Sequence, residues 1–135
     1  VKDGMDMTIS VIDYDKNKLW FAGANNPLIF IRDGELNSIR GDKMPVAIHY
    51  RMNPFTLHEI DLKKGDCFYM FSDGYGDQFG GPRQKKFMIK HLKEKLLEFS
   101  ELPMIEQGKK LDEVFEAWRG DSPQVDDVVL IGIRY

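Results

Sequence analysis

An α+β domain built on mainly antiparallel β-sheet is the fold class this sequence predicts. Three observations point to it. Short apolar, β-rich runs separated by hairpin turns fill the first half of the chain. Two apolar stripes at helical spacing follow: Met88, Leu92, Leu96 and Phe99, then Leu111, Val114, Phe115 and Trp118. A last apolar run, residues 128–133, returns to strand. Strands first and helices after, with hairpins between the strands, argue for α+β.

The elements follow in order. Residues 8–12 and 19–22 are strands joined by the polar turn Asp15-Lys16-Asn17-Lys18. Residues 28–31 form a third strand. Asp33-Gly34 then signals a tight hairpin, because such a turn needs residues that tolerate positive φ, and residues 36–39 return. After a less regular stretch through Pro45 and Pro54, residues 55–60 alternate apolar and polar, as a half-buried strand does. Gly65-Asp66 makes a turn, and residues 67–71 are apolar throughout, as in a strand covered on both faces. Pro103 bounds a helix, and Gly120 suits a helix C-cap. No repeat, linker or low-complexity segment divides residues 1–135, which read as one unit.

The chain has 135 residues, enough for one domain with a real core. Its net charge of −3 gives no strong draw toward nucleic acid or an anionic membrane. No apolar run approaches the roughly 20 residues that span a bilayer, and no signal peptide is visible. The single cysteine, Cys67, excludes an internal disulfide and reads as a buried small hydrophobe. A reducing, cytoplasmic compartment is expected. The chain opens Val1-Lys2-Asp3-Gly4 without methionine and reads as an excerpt or processed product.

Two segments carry chemistry. Asp73-Gly74 follows the strand 67–71, and Asp126-Asp127 precedes the strand 128–133. If those strands are antiparallel neighbours, the end of one lies beside the start of the other. Asp73 and Asp126 then converge on one sheet edge. Converging carboxylates repel unless a cation sits between them, and hard Mg²⁺ or Mn²⁺ suits oxygen ligands. Singly, each segment is also an ordinary turn or a solvated acidic pair. His49, His58 and His91 lie in different elements with no cysteine partners, so zinc is not indicated. His58 reads as a solvent-face residue. Trp20, Trp118 and Met88 read as core. The lysines near His91 alternate with Glu94 and Glu98 as on a solvated helix. No nucleophile elbow, P-loop or dinucleotide fingerprint occurs.

The run Phe71-Ser72-Asp73-Gly74-Tyr75-Gly76-Asp77-Gln78-Phe79-Gly80-Gly81, followed by Gln124-Val125-Asp126-Asp127-Val128-Val129-Leu130, resembles the C-terminal half of the bacterial metal-dependent serine/threonine phosphatases. The branch is the stage II sporulation protein E-like one of the type 2C (PPM) family. The segments at residues 3–8 and 21–27 and the turn Gly65-Asp66 also resemble it. The resemblance implies a sandwich of two antiparallel sheets flanked by helices, with a binuclear Mg²⁺ or Mn²⁺ centre at one end. It implies Asp73 and Asp126 as metal ligands, with Gly74 and Asp127 in support. It implies hydrolysis of phosphoserine or phosphothreonine on a partner protein in bacterial signalling, with an anti-sigma-factor antagonist as the partner type and an upstream sensor or repeat domain. Two departures stand out. Ala24 replaces a histidine found in many members. The upstream Asp-x-x-Gly-His-Gly segment, whose aspartate bridges both metals, has no counterpart. The chain is therefore expected to lack the N-terminal part of the catalytic domain, to be inactive alone, and to self-associate through uncovered edges. A non-catalytic, phosphatase-like interaction or sensor module is the alternative.

Overall fold

A computed structural model describes residues 3–48 and 53–135, and His49 lies outside them. Among the described residues, eleven strands and three helices follow in chain order. The strands are β1 Gly4–Met5, β2 Met7–Asp13, β3 Lys18–Ala24, β4 Leu28–Arg32, β5 Glu35–Ile39, β6 Val46–Ala47, β7 His58–Asp61, β8 Cys67–Phe71, β9 Phe79–Gly80, β10 Lys85–Lys86 and β11 Leu130–Arg134. The helices are α1 Gly74–Asp77, α2 Ile89–Phe99 and α3 Met104–Arg119. All strand pairs among these elements are antiparallel.

Two sheets stack. One has the order β11-β8-β4-β5 and the other β2-β3-β7. Leu19, Phe21, Leu28, Phe30, Leu62 and Phe68 fill the space between them, with Phe30 and Phe68 stacked 5.3 Å apart. Alternate residues of the same strands, Ile29, Ile31, Cys67, Tyr69 and Phe71, face the helices and meet Leu92, Leu96, Leu111 and Phe115. This accounts for the unbroken apolar run of β8: period-two alternation places every side chain in one of two cores. The α+β expectation holds, as does the mainly antiparallel sandwich flanked by helices.

Local signals place the turns. Asp33 and Gly34 take φ of 50° and 75°, the twin positive angles of a two-residue hairpin. Before β8, buried Asp66 accepts from Arg32 Nε at 2.9 Å, from Arg32 Nη2 at 2.7 Å and from the Lys63 amide at 2.7 Å. That bidentate pair fixes where β8 begins. The α3 helix follows Pro103 and ends at Gly120, whose φ is 55°.

Several expectations need correction. Of the alternating stretch 55–60 only residues 58–60 lie in a strand, which runs on to Asp61, because Asp42 captures the Thr56 amide and hydroxyl at 2.7 and 2.8 Å. His58 does not face solvent. It pairs with inward-facing Phe21 and stacks on it at 5.8 Å. Met88 is not core: it precedes α2 at φ 77° and is 54% exposed. Trp20 is half-buried and outside both cores, while Trp118, also half-buried, packs against the helix-side core beside Phe87. Lys85 and Lys86 belong to β10 rather than to the helix.

Candidate metal centre

The strands that carry the two aspartate segments pair directly. Phe71 stands opposite Leu130, and the Ser72 amide donates to the Val129 carbonyl at 3.0 Å. The chain then turns into α1, with Asp73 at its N-cap position. On the other side, Asp126 lies in the loop that enters β11. Antiparallel pairing puts both at the same end of the sheet, near enough for the charge of Asp126 to act on the carboxyl of Asp73. Asp126 is held in place: its Oδ1 accepts the Asp127 amide at 2.8 Å, and its carbonyl accepts Gln124 Nε2 at 2.9 Å.

Gly74 and Asp127 meet here through backbone. A Cβ on Gly74 would collide with the Asp127 carbonyl, so only glycine permits this approach. The Ser72 hydroxyl donates to the same carbonyl at 3.3 Å and accepts the Val129 amide at 3.1 Å. Neither the Ser72 contact nor a backbone role for Asp127 was legible in the sequence.

A third carboxylate was also missed. Asp77 sits one helical turn after Asp73, its amide donating to the Asp73 carbonyl at 2.9 Å. The i,i+4 spacing within the Asp73 segment was the available signal. Although Asp73 as a residue is exposed, burial of its carboxyl raises its pKa above the usual 3.8, and the charges of Asp77 and then Asp126 add to the rise. Lys86 Nζ lies 3.4 Å from Asp77 and offsets part of that charge. The site is thus a crowded set of hard oxygen donors, which suits a hard divalent cation. Among the described residues, no three or more His, Cys, Asp or Glu side chains are arranged as a ready-made metal shell. His58 lies in β7 and His91 in α2, and neither joins a group of three or more potential metal ligands among the described residues.

Residues 2–135 match the family model for stage II sporulation protein E (SpoIIE). The chain belongs to the SpoIIE family. Its fold is that of the type 2C phosphatases. The SiaA-PP2C domain of Pseudomonas aeruginosa is 27% identical, with a TM-score of 0.87 over 96% of this chain and 51% of that one. The phosphatase domain of the cell fate determinant SpoIIE from Bacillus subtilis is 17% identical, with a TM-score of 0.69 over 96% and 57%. The serine/threonine phosphatase PstP/Ppp of Mycobacterium tuberculosis is 20% identical, with a TM-score of 0.64 over 96% and 59%. A structure of the PstP catalytic domain in complex with 2 manganese ions matches at 22% identity and a TM-score of 0.58, over 94% and 57%. No curated protein matches this chain. The SpoIIE-family segment thus spans between about half and three fifths of the length of these solved structures.

Proposed function

We propose that this chain supplies part of the catalytic centre of a metal-dependent phosphatase that removes phosphate from phosphoserine or phosphothreonine of a partner protein. The observation that supports this reading is the placement of Asp73 and Asp126 at one end of paired strands, where the charge of Asp126 bears on the carboxyl of Asp73. The two carboxylates would hold Mg²⁺ or Mn²⁺, Gly74 would let the two loops close on each other, and the backbone amide of Asp127 would support Asp126. Bound at such a pair, the cation supplies a coordinated water of lowered pKa and neutralises charge on the phosphoryl oxygens. A structure of PstP with 2 manganese ions supports a divalent cation in this fold.

Two-metal hydrolysis needs a second ion about 3.5–4 Å from the first. Asp73 and Asp126 suffice to grip one ion loosely, and Lys86 draws Asp77 aside. Residues 1–135 alone are therefore expected to bind one cation weakly and to hydrolyse phosphoprotein at background rates. They represent one part of a single catalytic domain whose full centre is binuclear. A phosphorylated anti-sigma-factor antagonist is the substrate type that fits the family. An upstream sensor or repeat domain would control access to it. No described helix is long and apolar enough to cross a membrane, and a cytoplasmic location suits a phosphoprotein substrate. The outer strand β2 exposes Ile9 and Val11 on an unpaired edge, which supports self-association of the isolated chain.

The test is a Mn²⁺-dependent assay of the full-length protein on a phosphorylated protein substrate. Turnover in the wild type and its loss in Asp73→Asn, with the fold intact by circular dichroism, is the expected result. Unimpaired turnover in Asp73→Asn overturns the assignment.

A further inference from the structure

Where β8 and β11 part, one side chain does the work that backbone pairing no longer does. The regular register ends at Phe71 and Leu130. One residue further, Ser72 keeps a backbone bond to Val129, its amide donating to the Val129 carbonyl. Its hydroxyl then reaches across twice. It accepts the Val129 amide at 3.1 Å and donates to the Asp127 carbonyl at 3.3 Å. These two groups flank Val128, so the hydroxyl pins the bend from residue 127 to 129. Asp126 hangs from that bend, and the Asp127 amide is what its carboxylate grips, at 2.8 Å. On its other side the Asp127 carbonyl rests against Gly74 Cα, at the point where any Cβ would collide. The Asp127 peptide is therefore held between the residues on either side of Asp73. Nothing in this arrangement uses the Asp127 carboxylate.

We infer that Ser72 is a positioning residue for the Asp73–Asp126 pair, acting through the backbone of Asp127, and that the Asp127 side chain is dispensable. The functional half of this inference rests on the proposed metal role of the pair. Its geometric half does not. A hydroxyl that accepts one amide and donates to one carbonyl sets the spacing of two loops more tightly than solvent can. Partners of this outer kind typically change metal affinity by 10–100-fold. Threonine keeps the hydroxyl and alanine loses it.

The experiment has a metal-free arm and a metal arm, both on the full 135-residue chain. Without metal, amide hydrogen exchange is followed by NMR in wild type, Ser72→Ala and Ser72→Thr. Ser72→Ala is expected to speed exchange at the Asp127 and Val129 amides at least about tenfold, with amides in the middle of the β8–β11 ladder unchanged. Ser72→Thr is expected to restore protection. Unchanged exchange at Asp127 in Ser72→Ala overturns the positioning role, whatever metal does. In the second arm, Mn²⁺ affinity is read by the loss of its free-ion EPR signal. Ser72→Ala is expected to weaken binding about tenfold, and Ser72→Thr and Asp127→Asn to stay within about twofold of wild type. An Asp127→Asn loss as large as that of Asp126→Asn overturns the backbone assignment. Equal Mn²⁺ binding by wild type and Asp73→Asn overturns the metal role of the pair, while the exchange result still decides the positioning of Asp126.

Discussion

Phe71 and Leu130 face each other as the terminal regular pair of the β8–β11 ladder. Everything at the candidate centre follows from that register. Asp73 leaves the ladder two residues after Phe71, and Asp126 enters four residues before Leu130. Slipping one strand by a single residue would flip its side chains to the other face. The buried positions of Tyr69 and Phe71 against the helices prevent that slip.

Gly74 is the first test of this geometry. A methyl group there would strike the Asp127 carbonyl carbon, 2.8 Å from the Cβ position, and crowd Val128 Cα at 3.4 Å. Both obstacles are backbone and cannot rotate away. Gly74→Ala is expected to cost about 1–3 kcal/mol, the range for overpacking, and to part the two loops. Urea denaturation measures the first effect, and Mn²⁺ binding measures the second.

The raised pKa of Asp73 makes stability pH-dependent with a definite sign. Its carboxyl binds a proton more tightly in the fold than in the unfolded chain. Ionisation therefore opposes folding. The penalty is absent below the ordinary value of 3.8, grows as pH rises through the folded value, and is complete above it. In thermal melts without metal, Asp73→Asn is expected to melt above wild type at neutral pH, and the two are expected to converge near about pH 3. Excess Mg²⁺ or Mn²⁺ should raise the wild-type melting temperature and leave that of Asp73→Asn unmoved.

The Arg32–Asp66 pair anchors the far end of β8. Asp66 is 2% exposed and accepts three hydrogen bonds there. Removing the carboxylate leaves a guanidinium without its partner in a partly buried place. Asp66→Ala is expected to destabilise by about 3–5 kcal/mol, the cost of breaking a buried pair, in chemical denaturation.

Tyr69 ties the sheet to α3. Its hydroxyl donates to Gln107 Oε1 at 2.6 Å, while Gln107 Nε2 donates to the carbonyls of Ser100 and Leu102. Tyr69→Phe keeps the ring and orphans a buried oxygen. A loss of about 1–3 kcal/mol is expected, again by denaturation, with the secondary structure unchanged.

What the sequence disclosed depended on how local the signal was. The strand 67–71, the Asp33-Gly34 hairpin and the Gly120 cap are set by neighbouring residues, and all three stand as expected. The placement of Asp73 and Asp126 at one end of the sheet was legible because each sits at the end of a core strand, and it needed only those two strands to pair. Features that depend on a distant partner were not legible. Thr56 leaves its strand because Asp42 captures it, 14 residues earlier in the chain. His58 turns inward because Phe21 lies opposite. Ser72 has no motif of its own, and its role shows only once residues 127 and 129 lie beside it. Asp77 was within reach, since i,i+4 spacing on a one-turn helix places it over Asp73.

The central claim is that Asp73 and Asp126 together hold one divalent cation. Titration of Mn²⁺ into the 135-residue chain, read by EPR for wild type, Asp73→Asn and Asp126→Asn, tests it most directly. One weak site in the wild type, lost in each single variant while both keep the wild-type fold by circular dichroism, is the predicted result. A site of wild-type affinity that survives either substitution contradicts it.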